Sequence, residues 1–230
     1  MGTNMRVTKN ILILGFVYVL LAVCFYFALM VLPPVMELGD SYRIFFFHLP
    51  NAIVAYVALT ITLVGSVFYL SRRDLKYDKI ASSSAKLGLL FCSLALISGS
   101  IFSLAAWGPA SGWISDPKVI TFLITWFVYA AYLSLRSAIE EDDTRARVSA
   151  VLGIFGYATV PLAYLSTRIW YLRTHHPKGS IGLESNMWAV LWGITFGLII
   201  LLAYLLWWDF KLKNLEEEYQ RLQSLAKEGN

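Results

Sequence analysis

Cut at its charge clusters, the chain falls into six apolar runs, near residues 11–33, 50–70, 85–106, 118–136, 148–170 and 188–208. At about 1.5 Å per helical residue, each is about long enough to cross roughly 30 Å of hydrocarbon. The pattern predicts an all-α fold, a polytopic membrane bundle of six transmembrane helices. The first run follows Arg6 and Lys9, as the core of a secretion signal would. It extends across 11–33 with no small-residue cleavage pattern after it, and so reads as a retained anchor. Beyond the sixth run the period changes. Leu212, Leu215, Tyr219, Leu222 and Leu225 recur at steps of three and four, which predicts an amphipathic helix over about 209–226. The chain is therefore read as a membrane domain over 1–208 and a tail over 209–230.

Composition agrees with a bilayer environment. Hydrophobic residues make up 58% and charged residues 15% of the chain, with a mean hydropathy of +0.62; soluble domains carry about a quarter charged residues. Charge distribution then orients the bundle. With the N-terminus inside, 14 of the 19 Lys and Arg residues fall in inner segments, leaving only Arg43, Lys118, Arg168, Arg173 and Lys178 outside. The positive-inside rule places both termini in the cytoplasm, makes the C-terminal helix cytoplasmic, and predicts a multi-pass protein of the plasma (inner) membrane. All three histidines, His48, His175 and His176, then lie on the outer side.

Several function classes drop away. Cys24 and Cys92 stand alone within apolar runs and read as small hydrophobes. There is no C-x-x-C-H haem-attachment motif, no C-x-x-C redox pair and no phosphate-binding Walker loop, so any ATP-driven step needs a separate subunit. No ionisable residue sits in the middle of a run, which argues against a pump or secondary transporter. Ala95, Gly99 and Ser103 form a small-residue seam for close helix packing. Pro161 is expected to kink the fifth run, and the acidic stretch at 140–143 reads as a solvated loop.

The polar chemistry gathers outside. In "GDSYRIFFFHLPNA", Asp40 or Ser41 is expected to cap a short turn and Pro50 to open the second membrane helix. His48 then lies beside a helix N-terminus, where the local field and low dielectric favour the metal-binding neutral imidazole; the alternative is an interfacial histidine bonded to backbone. In "STRIWYLRTHHPKGSIGLESNMW", Arg168, Arg173 and Lys178 could meet carboxylates, and Trp170 and Tyr171 a ring face. Interfacial solvation alone also gathers such residues. Two separated imidazoles without cysteine suit an iron porphyrin better than a structural zinc. Between the third and fourth runs, "AWGPASGWISDP" supplies Trp107 and Trp113, with Asp116 and Pro117 starting the fourth helix.

The stretches "GDSYRIFFFHLPNA", "AWG…W…DPK" and "TRIWYLRTHHP", ordered around six spans, resemble the CcmC family of cytochrome c biogenesis, within the group of haem-handling proteins that share a tryptophan-rich outer loop. The resemblance runs from the first span through the sixth. It implies that His48 and His176 flank a non-covalently and transiently held b-type haem, with His175 in the place of the family's leucine. It implies a cofactor site drawn from Trp107, Trp113, Asp116, Arg43, Arg173 and His175 around those two metal ligands. The implied partners are a periplasmic haem chaperone, the subunits of an ABC transporter, a small single-span membrane subunit and the lipid bilayer, with no nucleic acid. The implied role is haem delivery to the chaperone, with possible assistance to covalent attachment there but no enzyme activity of its own. One departure stands in the loop. Trp107 and Asp116 are nine positions apart where the family has seven, and Ser115 stands where its last tryptophan is expected. From the residues alone, a small quinol-oxidising cytochrome and a cofactor-free assembly scaffold remain the other readings; a transmembrane cytochrome would want an inner histidine, and there is none.

Overall fold

Backbone amides and carbonyls in hydrocarbon have no water to turn to, so each apolar run must close its own hydrogen bonds, and each does so as helix. The computed structural model describes residues 2–34, 38–170, 172, 176 and 183–228. Its α-helices are α1 (Gly2–Tyr26), α2 (Phe45–Arg72), α3 (Leu75–Trp107), α4 (Pro117–Ala138), α5 (Asp142–Gly156), α6 (Thr159–Ile169) and α7 (Ser185–Glu228), with no β-strand among the described residues. Six stretches are long and apolar enough to span a membrane, α5 and α6 together making the fifth. Six crossings return the chain to the side on which it starts. We call that the near side and the opposite one the far side.

The helices overrun the apolar runs, because hydropathy marks only the portion inside hydrocarbon. α3 begins at Leu75 rather than near 85, and α2 at Phe45 rather than at Pro50. Pro50 is thus inside α2, not its opening residue, and its missing amide leaves Phe46 without the usual partner four residues on. A 3₁₀ turn over Asp40–Ile44 feeds directly into α2, so neither Asp40 nor Ser41 acts as the expected cap: Asp40 accepts from Arg43 Nε at 3.0 Å and Ser41 donates to the Leu38 carbonyl. The fifth span breaks between α5 and α6, at Tyr157 and Ala158. Pro161 cannot donate to the Tyr157 carbonyl, and Val160 N takes that acceptor instead at 2.9 Å.

α2 and α3 form the central hairpin, joined through Arg73 in the left-handed conformation and Asp74, whose carboxylate accepts from Lys76 N. Their backbones run close. A methyl group at Gly65 would lie 3.0 Å from the Ala81 methyl, and one at Gly88 would lie 2.6 Å from Leu59 Cδ2. α1 leans on α7 by the same device, with Gly193 against Cys24 and Gly197 against Leu21.

On the near side, polar side chains lock the helix ends together. Arg136 of α4 forks onto both carboxylate oxygens of Asp78 of α3, at 2.6 and 2.8 Å, with little exposure of either side chain. Asp209 accepts from Ser83, and Lys213 donates to Ser82 and Ser83. Lys79 reaches Asn214 and Glu217. These contacts hold α7 beyond the apolar run, and the tail continues the sixth span as one unbroken 44-residue helix with no break at 208. The tail's apolar stripe is more than half exposed at Leu212, Leu215, Tyr219, Leu222 and Leu225.

Removing one member of a bidentate pair shielded from water leaves the other charge without its counter-ion. Asp78→Ala is expected to destabilise the protein by about 3 kcal/mol and lower its melting temperature in detergent. Replacing Asp78 and Arg136 together with leucine is expected to recover much of the loss.

Candidate functional site on the far side

His48 sits on the first turn of α2, four residues after the 3₁₀ turn ends. Its Nδ1 lies 2.9 Å from the Ala95 carbonyl of α3, with Ser98 Oγ at 3.5 Å. A carbonyl can only accept, so Nδ1 carries the proton and the lone pair of the ring is on Nε2. The ring fits there because residue 99 is glycine: a Cβ at Gly99 would lie 2.7 Å from His48 Cε1 and 2.9 Å from Nδ1. The Ala95, Gly99, Ser103 seam therefore does more than admit a neighbouring helix. It seats this imidazole.

His176 is held by the loop between α3 and α4. Gly108 and Gly112, with φ of +76° and +66°, reverse the chain around two short 3₁₀ turns, Pro109–Ser111 and Trp113–Ser115. The loop ends at Asp116, which caps α4 by accepting from Lys118 N at 2.8 Å, ahead of Pro117 in the first turn. That placement of Asp116 and Pro117 is the one the sequence predicts. Asp116 is 1% exposed, and its Oδ1 also lies 3.2 Å from His176 Nδ1. The Trp107 ring meets the His176 ring edge to face, with centroids 5.6 Å apart.

An aromatic chain runs from His176 to the start of α2. Phe45, three residues before His48, packs on Phe102 at 6.5 Å. Phe102 packs edge-on to Trp107 at 5.8 Å, and Trp107 reaches His176. His176 and Lys118 both lie within electrostatic reach of the His48 ring. Lys118 donates to the Ala163 carbonyl at 2.8 Å and the Tyr164 carbonyl at 3.5 Å, tying α4 to α6 beneath the site.

Other candidates are placed differently. Arg43 is turned toward the end of α1: besides Asp40, its guanidinium donates to the Ala28 and Leu32 carbonyls, and Tyr42 adds a bond to Leu32. The acceptors are the terminal carbonyls around a π turn at Phe27–Val31. Trp113 is half-buried on the second 3₁₀ turn, while Arg168 and Trp170 are exposed at the end of α6. Arg173 and His175, with Tyr171 and Lys178, lie outside the described residues. Sequence reasoning missed the Ala95 carbonyl, Gly99, Phe102 and Lys118. The small-residue seam was the one available sign of the first two, since a glycine facing a helix start admits a ring as readily as a helix.

Among the described residues no three metal-ligating side chains converge; the far side offers two imidazoles, one with Nδ1 hydrogen-bonded to the Ala95 carbonyl and one with Nδ1 3.2 Å from the Asp116 carboxylate. The His48 arrangement is the way a metal-bound histidine is oriented by an outer carbonyl, leaving any metal bond to Nε2.

The family profile described as heme exporter protein C matches residues 3–225. The chain is 29% identical over 161 residues to the heme exporter protein C of Rhodobacter capsulatus, covering 70% of this chain and 66% of that protein. It is 31% identical over 137 residues to that of Paracoccus denitrificans, covering 60% and 56%. With that of Haemophilus influenzae the identity is 27% over 213 residues, covering 88% and 83%. The matched stretch thus spans less than two thirds of the first two relatives' own lengths.

Gly99→Ala forces the His48 ring off the Ala95 carbonyl. In the 15N NMR spectrum of the imidazole nitrogens, the wild type is expected to show His48 as the Nδ1-protonated tautomer. The variant should lose that signature, at a stability cost of about 1–3 kcal/mol from overpacking.

Proposed function

Because the chain belongs to the heme exporter protein C family, we propose that it binds haem on the far side, between His48 and His176, and hands it on during cytochrome c maturation. The observation that supports this reading is the pair of far-side imidazoles, His48 bonded through Nδ1 to the Ala95 carbonyl and His176 beside Asp116 and the Trp107 ring. In this reading the two Nε2 atoms would hold the haem iron. The Ala95 carbonyl fixes the His48 ring by its hydrogen bond, and the Asp116 carboxylate, 3.2 Å from His176 Nδ1, raises the basicity of that histidine. Trp107 supplies an aromatic edge, with Trp113 on the same loop. Arg43 is a positioning residue that fixes the approach to α2, and Arg173 and His175 stand near the second ligand in sequence.

The haem is cargo: b-type, non-covalent and transiently held. The protein's part is to bind, orient and release it to a periplasmic haem chaperone, whose attachment chemistry it can assist without breaking a substrate bond itself. The near side is then cytoplasmic in the inner membrane, as the excess of Lys and Arg there supports. ABC transporter subunits and a small single-span subunit complete the assembly. The unbroken α7 reaches about 30 Å past Asp209, too stiff a continuation to lie flat on the membrane, and offers its exposed stripe to the ATP-binding subunit.

The test is the haem absorbance of the protein purified in detergent. The wild type should carry a Soret band, His48→Ala and His176→Ala should lose most of it, and Asp116→Asn should weaken haem retention about 10- to 100-fold, as outer-shell changes do. His175→Ala should matter less than His176→Ala. An unchanged band in both histidine variants would sink the assignment.

Deleting residues 218–228 should leave that band intact while abolishing co-purification of the ATP-binding subunit. Unchanged recovery of that subunit would remove the tail's proposed role.

A further inference from the structure

α1 and α7 diverge toward the near side and leave a groove of about 630 Å³ lined by Asn10, Ile13, Ile200, Ala203, Tyr204, Trp207 and Lys211. Its lining is ordered along the membrane normal. Ile13, Ile200 and Ala203 lie at the deep end, Tyr204 and Trp207 above them, and Asn10 and Lys211 at the rim. From Ile200 to Lys211 the helix rises about 16 Å, roughly half of a 30 Å hydrocarbon layer. The groove therefore spans one leaflet, apolar where acyl chains lie and polar where headgroups lie.

The rim carries an uncompensated cation. The Lys211 ammonium rests over the Trp207 and Trp208 rings, 5.3 and 5.0 Å from their centroids. Among the described residues it forms no ion pair with a carboxylate, whereas neighbouring Lys213 is paired with Asp209. Two aromatic faces hold the lysine at one height without neutralising it, which suits an anion that arrives from the membrane. Asn10 adds an amide able to donate to a phosphate or glycerol oxygen.

We propose that this groove is a binding site for one anionic phospholipid of the near-side leaflet, with its phosphate at Lys211 and Asn10 and an acyl chain along Ile13, Ile200 and Ala203. The lipid completes the contact of α1 with the bundle. α1 otherwise packs mainly on α7, and only about a tenth of its apolar window is buried. The site is on the opposite side of the membrane from His48 and His176, so its occupancy does not depend on the haem reading.

The experiment is native mass spectrometry of the full chain after incubation in detergent with equimolar dioleoyl phosphatidylglycerol and dioleoyl phosphatidylcholine. Wild type should retain one phosphatidylglycerol in about fivefold preference, as one lysine near an anionic headgroup provides. Lys211→Glu should erase the preference, Lys211→Arg should keep it, and Ala203→Trp should reduce retention of both lipids by filling the groove. Each variant is compared at a melting temperature and monodispersity matching wild type. Equal retention of the two lipids by wild type would overturn the proposal, as would a preference that survives Lys211→Glu. Displacement of the lipid by a co-purifying membrane polypeptide would overturn it too.

Discussion

In hydrocarbon, apolar side chains gain nothing by leaving lipid for one another, so helices associate through close contact of their backbones and whatever polar bonds that closeness permits. The α2–α3 hairpin is built on this constraint. Gly65, Gly88 and Gly99 remove side-chain bulk at successive heights along it, facing Ala81, Leu59 and His48. At the lower two levels the result is packing. At the uppermost the same closeness brings the Ala95 carbonyl within 2.9 Å of an imidazole, turning a helix contact into an orienting bond. The far-side chemistry is thus inherited from the central packing.

The second imidazole is held in the opposite manner, by a loop. Its two 3₁₀ turns, hinged at Gly108 and Gly112, bring the buried Asp116 beside the ring that Trp107 meets edge to face. One carboxylate then accepts from the Lys118 amide of α4 and lies 3.2 Å from His176 Nδ1. Sharing Asp116 places the ring beside the start of a transmembrane helix.

Much of the architecture was legible in the residues. Six runs of the right length are enough for six helices, and Asp116-Pro117 announced the start of α4. The heptad-like leucines announced a helical tail, although nothing in their spacing showed that it would continue α7 without interruption. Helix starts outside hydrocarbon were the least readable, because hydropathy is silent there. Pro50 pointed to a start at its own position, while the 3₁₀ turn ahead of it allowed α2 to begin five residues earlier. His48 and His176 were recognisable as candidates and Asp116 as a site residue, but the Ala95 carbonyl at His48 and the closeness of Asp116 to the His176 ring were not. A backbone carbonyl has no sequence signature, and an aspartate that caps a helix looks the same whether or not it also meets a ring. Arg43, which the resemblance placed at the cofactor site, bonds Asp40 and the carbonyls at the end of α1.

The unbroken α7 has a mechanical consequence. At about 66 Å it is longer than the membrane is thick, with no proline or turn to absorb bending. A force applied to the tail beyond Glu217 is therefore not dissipated locally, and tilting the near-side end displaces the far-side end of the same helix. The near-side bonds from Lys79, Ser83 and Asp209 act as the fulcrum of that lever.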